Sequence, residues 1–540
     1  MPSNIQVLNI RDFTGGLNLN TDTFKLQDNE SPDLLNVDID GRGGFQCRRG
    51  VTPFSTTSLA TTPHSMWNYT NSGASYTMVG QGAKMLYSTG TTWTELGTNI
   101  GASSGTVGAA TVNNTFYWVR DNAAAQKWNG TTLTSLGTSF NNTITPGSGN
   151  MPRAQHIAVH SGYTWIAATW ESGTFYGSRV RFSWANEFDL SAENWRSDEF
   201  IDVDPGKDGD QITAIMPFGD QLLVFKQNSV YAIYGYSSDS FTVVNVSNSV
   251  GCAGRHAIVG TPNGVFFFDP KTGLNAYDGR QVRSPFGQIW PSMRDGWIPK
   301  TSYANIHLGW INNRVWMSVP WKTAPSDPRY YTFVFDPFLS NGCWTKYDLK
   351  AGPFCKNERS TDYLAAIHDS TGVKNLVYKV DVQDQYHDNF GSGVVPINAY
   401  YRTKWIDLGQ PAVKKRWRRM EAVLQVDLPY ELQVETFKDY DPTATIKQFK
   451  IAAEGFVTAE TNGIWGTVGV TDPSKWDTAQ WAHTGQYGEI QKGSSLGVSN
   501  AVALKIGGRV LSRGSNSVAS APTFWGVDSL MIKYVPRRVR

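Results

Sequence analysis

Between His256 and Gly279 the chain sets three short apolar runs, Ala257–Val259, Val265–Phe268 and Leu274–Tyr277, among clusters of turn residues. The runs are too short for helices, and their Val, Phe and Tyr favour a pleated, half-buried surface. Pro262 with Gly264, and Pro270 with Gly273, mark the breaks. Proline presets φ for the second position of a turn, and glycine supplies a positive-φ corner. The stretch predicts an antiparallel meander, and a lone meander cannot bury both of its faces.

The same grammar recurs along the chain. Tyr76–Val79 is followed by Lys84–Tyr87, Thr115–Arg120 by Gln126–Trp128, and Ile212–Met216 by Leu222–Phe225 and Ser229–Tyr234. Downstream, Arg314–Val319 leads to Tyr331–Phe335 and Trp344–Tyr347, and Leu364–His368 leads to Leu376–Val380. Closing runs recur roughly every 45 to 55 residues, the spacing of a four-stranded propeller blade. Residues 56–390 are therefore predicted to form a β-propeller of about six or seven blades. Met151–Asp202 is long for one blade and predicts a polar and aromatic excursion suited to surface contact. From 391 to 540 the strands lengthen and alternate in and out, as in Met420–Val426 and Tyr430–Phe437, which predicts a β-sandwich or jelly roll. Residues 1–55 break both patterns and read as an extended arm lying on other surfaces. Only Asn29–Leu35, opening on Ser31-Pro32, suggests a short helix.

Composition adds to this all-β reading. The 540 residues include 52 Gly, 20 Trp, 23 Tyr and 26 Phe, while charged residues are only 17%, a balance suited to tight turns and stacked sheets. The net charge of +2 argues against a general polyanion binder. Four scattered cysteines without a CxxC pair suggest neither a zinc site nor a disulfide framework. No basic segment followed by an apolar run opens the chain, and no apolar stretch approaches a membrane span. The expectation is a protein made in a cytoplasm, soluble, with no membrane span.

Three regions carry a resemblance. The first runs from Phe13 through Gly15-Gly16-Leu17-Asn18, Glu30-Ser31-Pro32-Asp33, Leu35 to Asp38, and Gly43-Gly44-Phe45 to Arg48-Arg49-Gly50. The second spans Thr403–Gly409 and Lys414–Arg419, and the third spans Trp525–Ser529 and Lys533–Arg538. These segments resemble bacteriophage tail proteins, namely minor tail proteins of phages infecting actinobacteria and, more distantly, nozzle or tail-hub proteins of short-tailed phages. The resemblance covers roughly 1–50 and 400–540. It implies a virion protein that assembles with copies of itself and with other tail proteins. Its motifs are family labels without catalytic content.

Candidate chemistry is sparse. Ser103 and Ser495 sit in G-x-S-x-G patterns, but neither has the strand-then-helix context of a nucleophile elbow. Asp202, Asp204, Asp208 and Asp210 cluster within nine residues. A hard cation such as calcium wants such oxygens, yet Pro205 and Gly206 occupy positions where an EF-hand loop would place ligands. A solvated turn is the favoured reading. The eight histidines show no metal-site spacing and read as surface or blade-packing residues. One dense basic run, Lys414, Lys415, Arg416, Arg418 and Arg419 around Trp417, is joined by Arg537 and Arg538 near the C-terminus. Strand alternation places Lys415, Trp417 and Arg419 on one face and Lys414, Arg416 and Arg418 on the other. Such a run is either a charged strand edge that resists pairing or a contact with an acidic subunit or with DNA phosphate, which would be sequence-blind.

The function expected from these readings is mechanical and not enzymatic, with no cofactor. The chain would form a three-fold or six-fold ring near the distal tail, contribute to the genome-ejection conduit and dock receptor-binding proteins. Non-specific contact with genomic DNA in transit would accompany that role. Two other classes fit the Trp-rich loops: a carbohydrate-binding or glycan-degrading propeller, and a receptor-binding adhesin at the tail tip.

Overall fold

A computed structural model describes residues 5–57, 59–60, 63–97, 107–121, 123–140, 149–184, 192–206, 209–284, 287–289, 305–324, 327–339, 342–368, 375–391, 393–426, 430–443, 447–453, 487–509 and 524–536. The chain divides into two compact units. One comprises Met1–Gly50, Phe338–Tyr347 and Gln383–Arg540; the other comprises Val51–Pro337 and Asp348–Val382. The arm and C-terminal segment, separate pieces in the sequence reading, thus fall in one unit.

Among the described residues, seven four-stranded antiparallel sheets succeed one another as propeller blades. Blade one holds Pro63–Asn71, Ala74–Gln81, Lys84–Ser88 and Thr94–Gly97. Blade two runs from Gly108–Val112 to Leu133–Ser135, blade three from Arg153–His160 to Phe200–Asp202, and blade four from Ile212–Phe218 to Thr242–Ser247. Blade five spans Ile258–Thr261 to Val282–Arg283. Blade six is the sheet of His307–Ile311, Arg314–Ala324, Asp327–Asp336 and Cys343–Tyr347, its last strand belonging to the segment Phe338–Tyr347 that falls in the first unit. Blade seven takes three strands from Lys350–Lys356, Tyr363–His368 and Asn375–Val380, and its fourth from Thr52–Pro53 at the other end of the unit. Tyr378 faces Pro53 and Lys379 faces Thr52. Proline is tolerated there because the strand lies at the sheet edge, where its missing N–H leaves no ladder bond unmade. This pairing ties the start of the propeller to its last blade.

Packing between blades follows from alternation. Trp165, Val180 and Phe182 of blade three meet Ile212, Leu222, Val224 and Tyr231 of blade four in one buried cluster. Trp67, Tyr69, Tyr76 and Tyr87 of blade one meet Phe116, Trp118 and Trp128 of blade two in another. Flat rings at edge-to-face and tilted angles, such as Tyr76 against Trp128 at 5.0 Å, fill the gap between the sheets.

The excursion between the third and fourth strands of blade three is better packed than the sequence suggests. Trp195 is 1% exposed and joins Tyr117, Ile157 and Ile166 in a core between blades two and three, while its indole N–H donates to Ala192. Glu193, also buried, accepts Tyr117 Oη at 2.9 Å and Lys127 Nζ at 2.5 Å. Residues 192–195 thus brace two blades; residues 185–191 lie outside the described residues.

The other unit is a β-sandwich. One sheet has the order Tyr487–Ser499, Lys415–Val426, Trp525–Pro536, Phe45–Cys47 and Val37–Ile39, with Gln6–Ile10 also pairing to Trp525–Pro536. The second sheet has the order Asp33–Leu35, Ala399–Arg402, Val502–Gly508, Tyr430–Lys438 and Lys447–Ala453. Phe13, Phe45, Tyr401 and Trp525 form its aromatic centre, with Phe45 stacked on Tyr401 at 4.7 Å. The helix expected at Asn29–Leu35 is absent: Glu30–Ser31 and Asp33–Leu35 are strands. Pairing of Asp33–Leu35 with Ala399–Arg402 supplies the backbone partners that a short helix would have had to find within itself. The one helical element among the described residues is the 3-10 turn Ser238–Ser240.

Candidate functional site

From blade two round through blade seven to blade one, the first strands of neighbouring blades lie against one another around the propeller axis, so residues on them converge although they are far apart in sequence. On this face lies a cavity of about 620 Å³. Its apolar wall includes Met66, Met216, Ile258, Trp310 and Phe354, contributed by blades one, four, five, six and seven. Arg255, His256, His307 and Lys356 also line it, and no carboxylate does so among the described residues.

A chain of hydrogen bonds runs behind this wall. The turn before blade five carries Arg255 and His256. Arg255 Nη2 donates to His156 Nδ1 at 2.7 Å and also to the Gln155 carbonyl. His156 Nδ1 is therefore an acceptor, and its Nε2–H donates to the Ile212 carbonyl at 3.2 Å, which defines a neutral imidazole. On the other side, His256 Nε2 lies 3.4 Å from Ser65 Oγ, which lies 2.8 Å from His64 Nδ1. His64 Nε2 and Arg120 Nη1 converge on the Gly82 carbonyl at 3.2 and 3.0 Å. A carbonyl can only accept, so His64 carries its proton on Nε2 and accepts from Ser65 through Nδ1 when neutral. The His256 and His307 rings sit 5.1 Å apart. Two glycines make room for this cluster: a Cβ at Gly80 would lie 2.6 Å from His64 Cε1, and one at Gly108 would overlap the Arg255 guanidinium.

The electrostatics follow from burial among cations. Burial, reinforced by the Arg120 charge, pushes His64 down to about 4. His156 and His256 fall well below the ordinary histidine value, through burial first and then Arg255 and, for His256, the neighbouring histidines. Burial alone brings Arg255 down to about 9. At neutral pH His64, His156 and His256 are neutral imidazoles beside the Arg120 and Arg255 guanidinium groups, an environment suited to an acceptor-rich, negatively charged ligand.

The residues singled out by sequence do not converge on this cavity. Asp202 is engaged by Arg179 Nε and Nη2, both at 2.8 Å. Asp204 accepts Tyr231 Oη at 2.5 Å. Asp210 is buried and accepts the Asn228 N–H at 2.8 Å and Ser229 Oγ at 2.6 Å. Asp208 lies outside the described residues. These three described carboxylates each serve a different partner, and no metal-binding group of three or more His, Cys, Asp or Glu occurs among the described residues. Asp210 organises the turn before blade four's third strand, and Asp210→Ala is expected to cost about 1–3 kcal/mol in a chemical-denaturation experiment, the loss of one buried and one half-buried hydrogen bond.

The basic run also differs from its sequence reading. Lys415–Val426 is flanked on both sides by paired strands, so the run is not a sheet edge, and protection of an edge cannot be its role. Lys415 is fully buried, its Nζ donating to the carbonyls of Gln410 and Asn500, and Trp417 donates to Ser499 Oγ at 2.9 Å. Register irregularities between Trp417 and Met420 turn Arg419 outward and Met420 inward. A bulge inserts a residue and re-aims the side chains after it, so Arg419 does not share the face of Lys415 and Trp417. Lys414, Arg416 and Arg419 are exposed and Arg418 is half-buried. Arg537 and Arg538 lie outside the described residues, as do Ser103 and the tryptophan-rich stretch 461–481. Ser495 Oγ contacts the Trp417 carbonyl at 3.4 Å.

Read along the sequence, the histidines are scattered surface or blade-packing residues. Their convergence depends on which strand of each blade is innermost. The available signal was positional: His64, His156 and His307 lie on first strands and His256 just precedes one.

Fold and site together describe a seven-bladed β-propeller carried in one chain with a β-sandwich, its axial face lined by cations. No protein-family model matches the chain, and no curated protein matches its sequence. Solved structures similar to it include YCF48 bound to D1 peptide, at 10% identity, TM-score 0.36, covering 64% of this chain and 99% of that one. YCF48 from Cyanidioschyzon merolae is similar at 9% identity and TM-score 0.37, covering 61% and 98%. The computationally designed Ika8 protein is similar at 11% identity and TM-score 0.33, covering 60% and 98%. The blade assignment stands on the chain's own strand pairing. Among the described residues, no helix is long and apolar enough to cross a membrane.

Proposed function

We propose that this chain is a structural component of a bacteriophage tail, a minor tail or nozzle-like protein. It forms a ring of identical subunits near the distal end, contributes to the conduit for genome ejection and docks receptor-binding proteins. One observation carries the reading. The tail-protein-like segments near residues 13–50, 403–419 and 525–538 are distant in sequence, yet their described parts fall in a single unit and share its two sheets. Gln6–Ile10 and Phe45–Cys47 both pair with Trp525–Pro536, and Asp33–Leu35 pairs with Ala399–Arg402. Segments that share one resemblance and fold into one compact unit are what an assembly module would leave.

The same unit offers apolar surface for self-association. Val7 is 48% exposed on the strand Gln6–Ile10, and Val394 is 49% exposed on Val394–Pro396. A closed ring needs a heterologous interface, with one face of each subunit complementary to a different face of the next. Arg416 and Arg419 supply exposed charge for an acidic neighbour or for passing DNA. The test is to detect the polypeptide in purified virions by mass spectrometry and to locate it by electron microscopy of labelled particles. The expected result is a symmetric distal ring. Absence from virions, or a solely monomeric protein at micromolar concentration, would overturn the proposal.

A further inference from the structure

The axial cavity holds an excess of donors over acceptors that the protein itself does not balance. We propose that it binds a small organic anion, a carboxylate or phosphate group borne on an apolar body.

Three features carry this assignment. The first is charge: Arg255, His256, His307 and Lys356 line the cavity without a carboxylate among the described residues. The second is unmet hydrogen bonding. Arg255, which lines the cavity, has its Nη1 buried without an acceptor. Burying a guanidinium without an anionic partner is costly, and a bound anion removes that cost. The third is shape. A volume of about 620 Å³ lies within the range that encloses a small organic ligand. The Trp310 and Phe354 rings beside Met66, Met216 and Ile258 give that ligand's body an apolar wall. Planar guanidinium suits a carboxylate or phosphate headgroup equally, so headgroup identity is left to the experiment.

Phenyl phosphate and benzoate are the probes, titrated calorimetrically into the full chain at low ionic strength and pH 7, with uncharged benzyl alcohol as comparator. The anions are expected to bind with a dissociation constant in the millimolar range or tighter, and the stronger of the two identifies the headgroup class. Arg255→Met is expected to weaken binding about tenfold or more. Lys356→Gln, an exposed rim substitution that leaves the fold intact, is expected to weaken it about two- to fivefold. A thermal melt followed by circular dichroism establishes that each variant is folded; if Arg255→Met is not, wild type and Lys356→Gln decide the matter. The proposal fails if neither anion binds wild type, if benzyl alcohol binds as tightly as the anions, or if no folded variant weakens the interaction.

Discussion

Lowering the pH from 7 toward 5 is expected to destabilise the propeller steeply, well above the range in which carboxylates titrate. The cause is the set of histidines brought to the axis. His64 is held at about 4, and His156 and His256 lie well below the ordinary value, in each case through burial first and neighbouring positive charge second. His160 shifts in the same direction, also through burial. In the unfolded chain these side chains titrate near 6.5. Between that value and their folded values, the unfolded state binds protons that the folded state refuses, so stability falls as the pH falls. Each such proton is worth about 1.4 kcal/mol per pH unit, and three together give a slope of up to about 4 kcal/mol per unit. That slope would remove most of the stability of an ordinary domain within two units. Calorimetric melting at half-unit steps from pH 7.5 to 5 checks this. His256→Gln should flatten the profile by about one proton, because glutamine keeps a polar side chain that does not titrate there. A transition temperature flat over the whole interval would show that these imidazoles accept protons in the folded state, and the buried cationic cluster would then be wrong.

This cluster also marks where sequence reasoning stops. Blade strands are legible because their information is local: turn residues at fixed offsets bracket Val265–Phe268, which lies inside the strand Gly264–Asp269, and Leu222–Phe225, which lies inside Gln221–Lys226. Blade seven's fourth strand is not legible. Thr52–Pro53 is two residues long, has no pattern and finds its partner at Tyr378 and Lys379, at the far end of the propeller. The arm hides its strands for the same reason, since Glu30–Ser31 and Phe45–Cys47 acquire meaning only from what they meet. Ser31-Pro32 even imitates a helix start, and tertiary pairing overrides that preference. At Trp417–Met420 the local rule itself fails, because a bulge breaks the period of two on which the face assignment of Arg419 depended. Local chemistry survives in the sequence, whereas closure, register shifts and convergence do not.

Arg48→Ala is expected to cost the sandwich unit about 3–5 kcal/mol, the range for removing one partner of a buried ion pair. Arg48 stands in the Arg-Arg-Gly sequence that ends the first tail-protein-like segment, and it is 1% exposed. Its Nη1 and Nη2 form a two-pronged contact with Asp388 at 2.9 and 2.6 Å. Nε donates to Asn36 Oδ1 at 3.0 Å, Nη1 donates to the Arg49 carbonyl at 3.0 Å, and the guanidinium lies 5.5 Å from the Tyr347 ring centroid. Truncation strands the buried Asp388 carboxylate and the Asn36 oxygen together, which is why the penalty exceeds that of an exposed pair. Lysine would keep the charge but not the planar fork, so Arg48→Lys should recover only part of the loss. The decisive measurement is a double-mutant cycle in urea with Arg48→Met and Asp388→Leu. The double variant should be more stable than Asp388→Leu and Arg48→Met would give by addition, since removing both charges leaves neither uncompensated. Strict additivity would mean that the two side chains act independently. Arg48 would then be a packing residue, and the link between that segment and the body of the sandwich would have to rest on strand pairing alone.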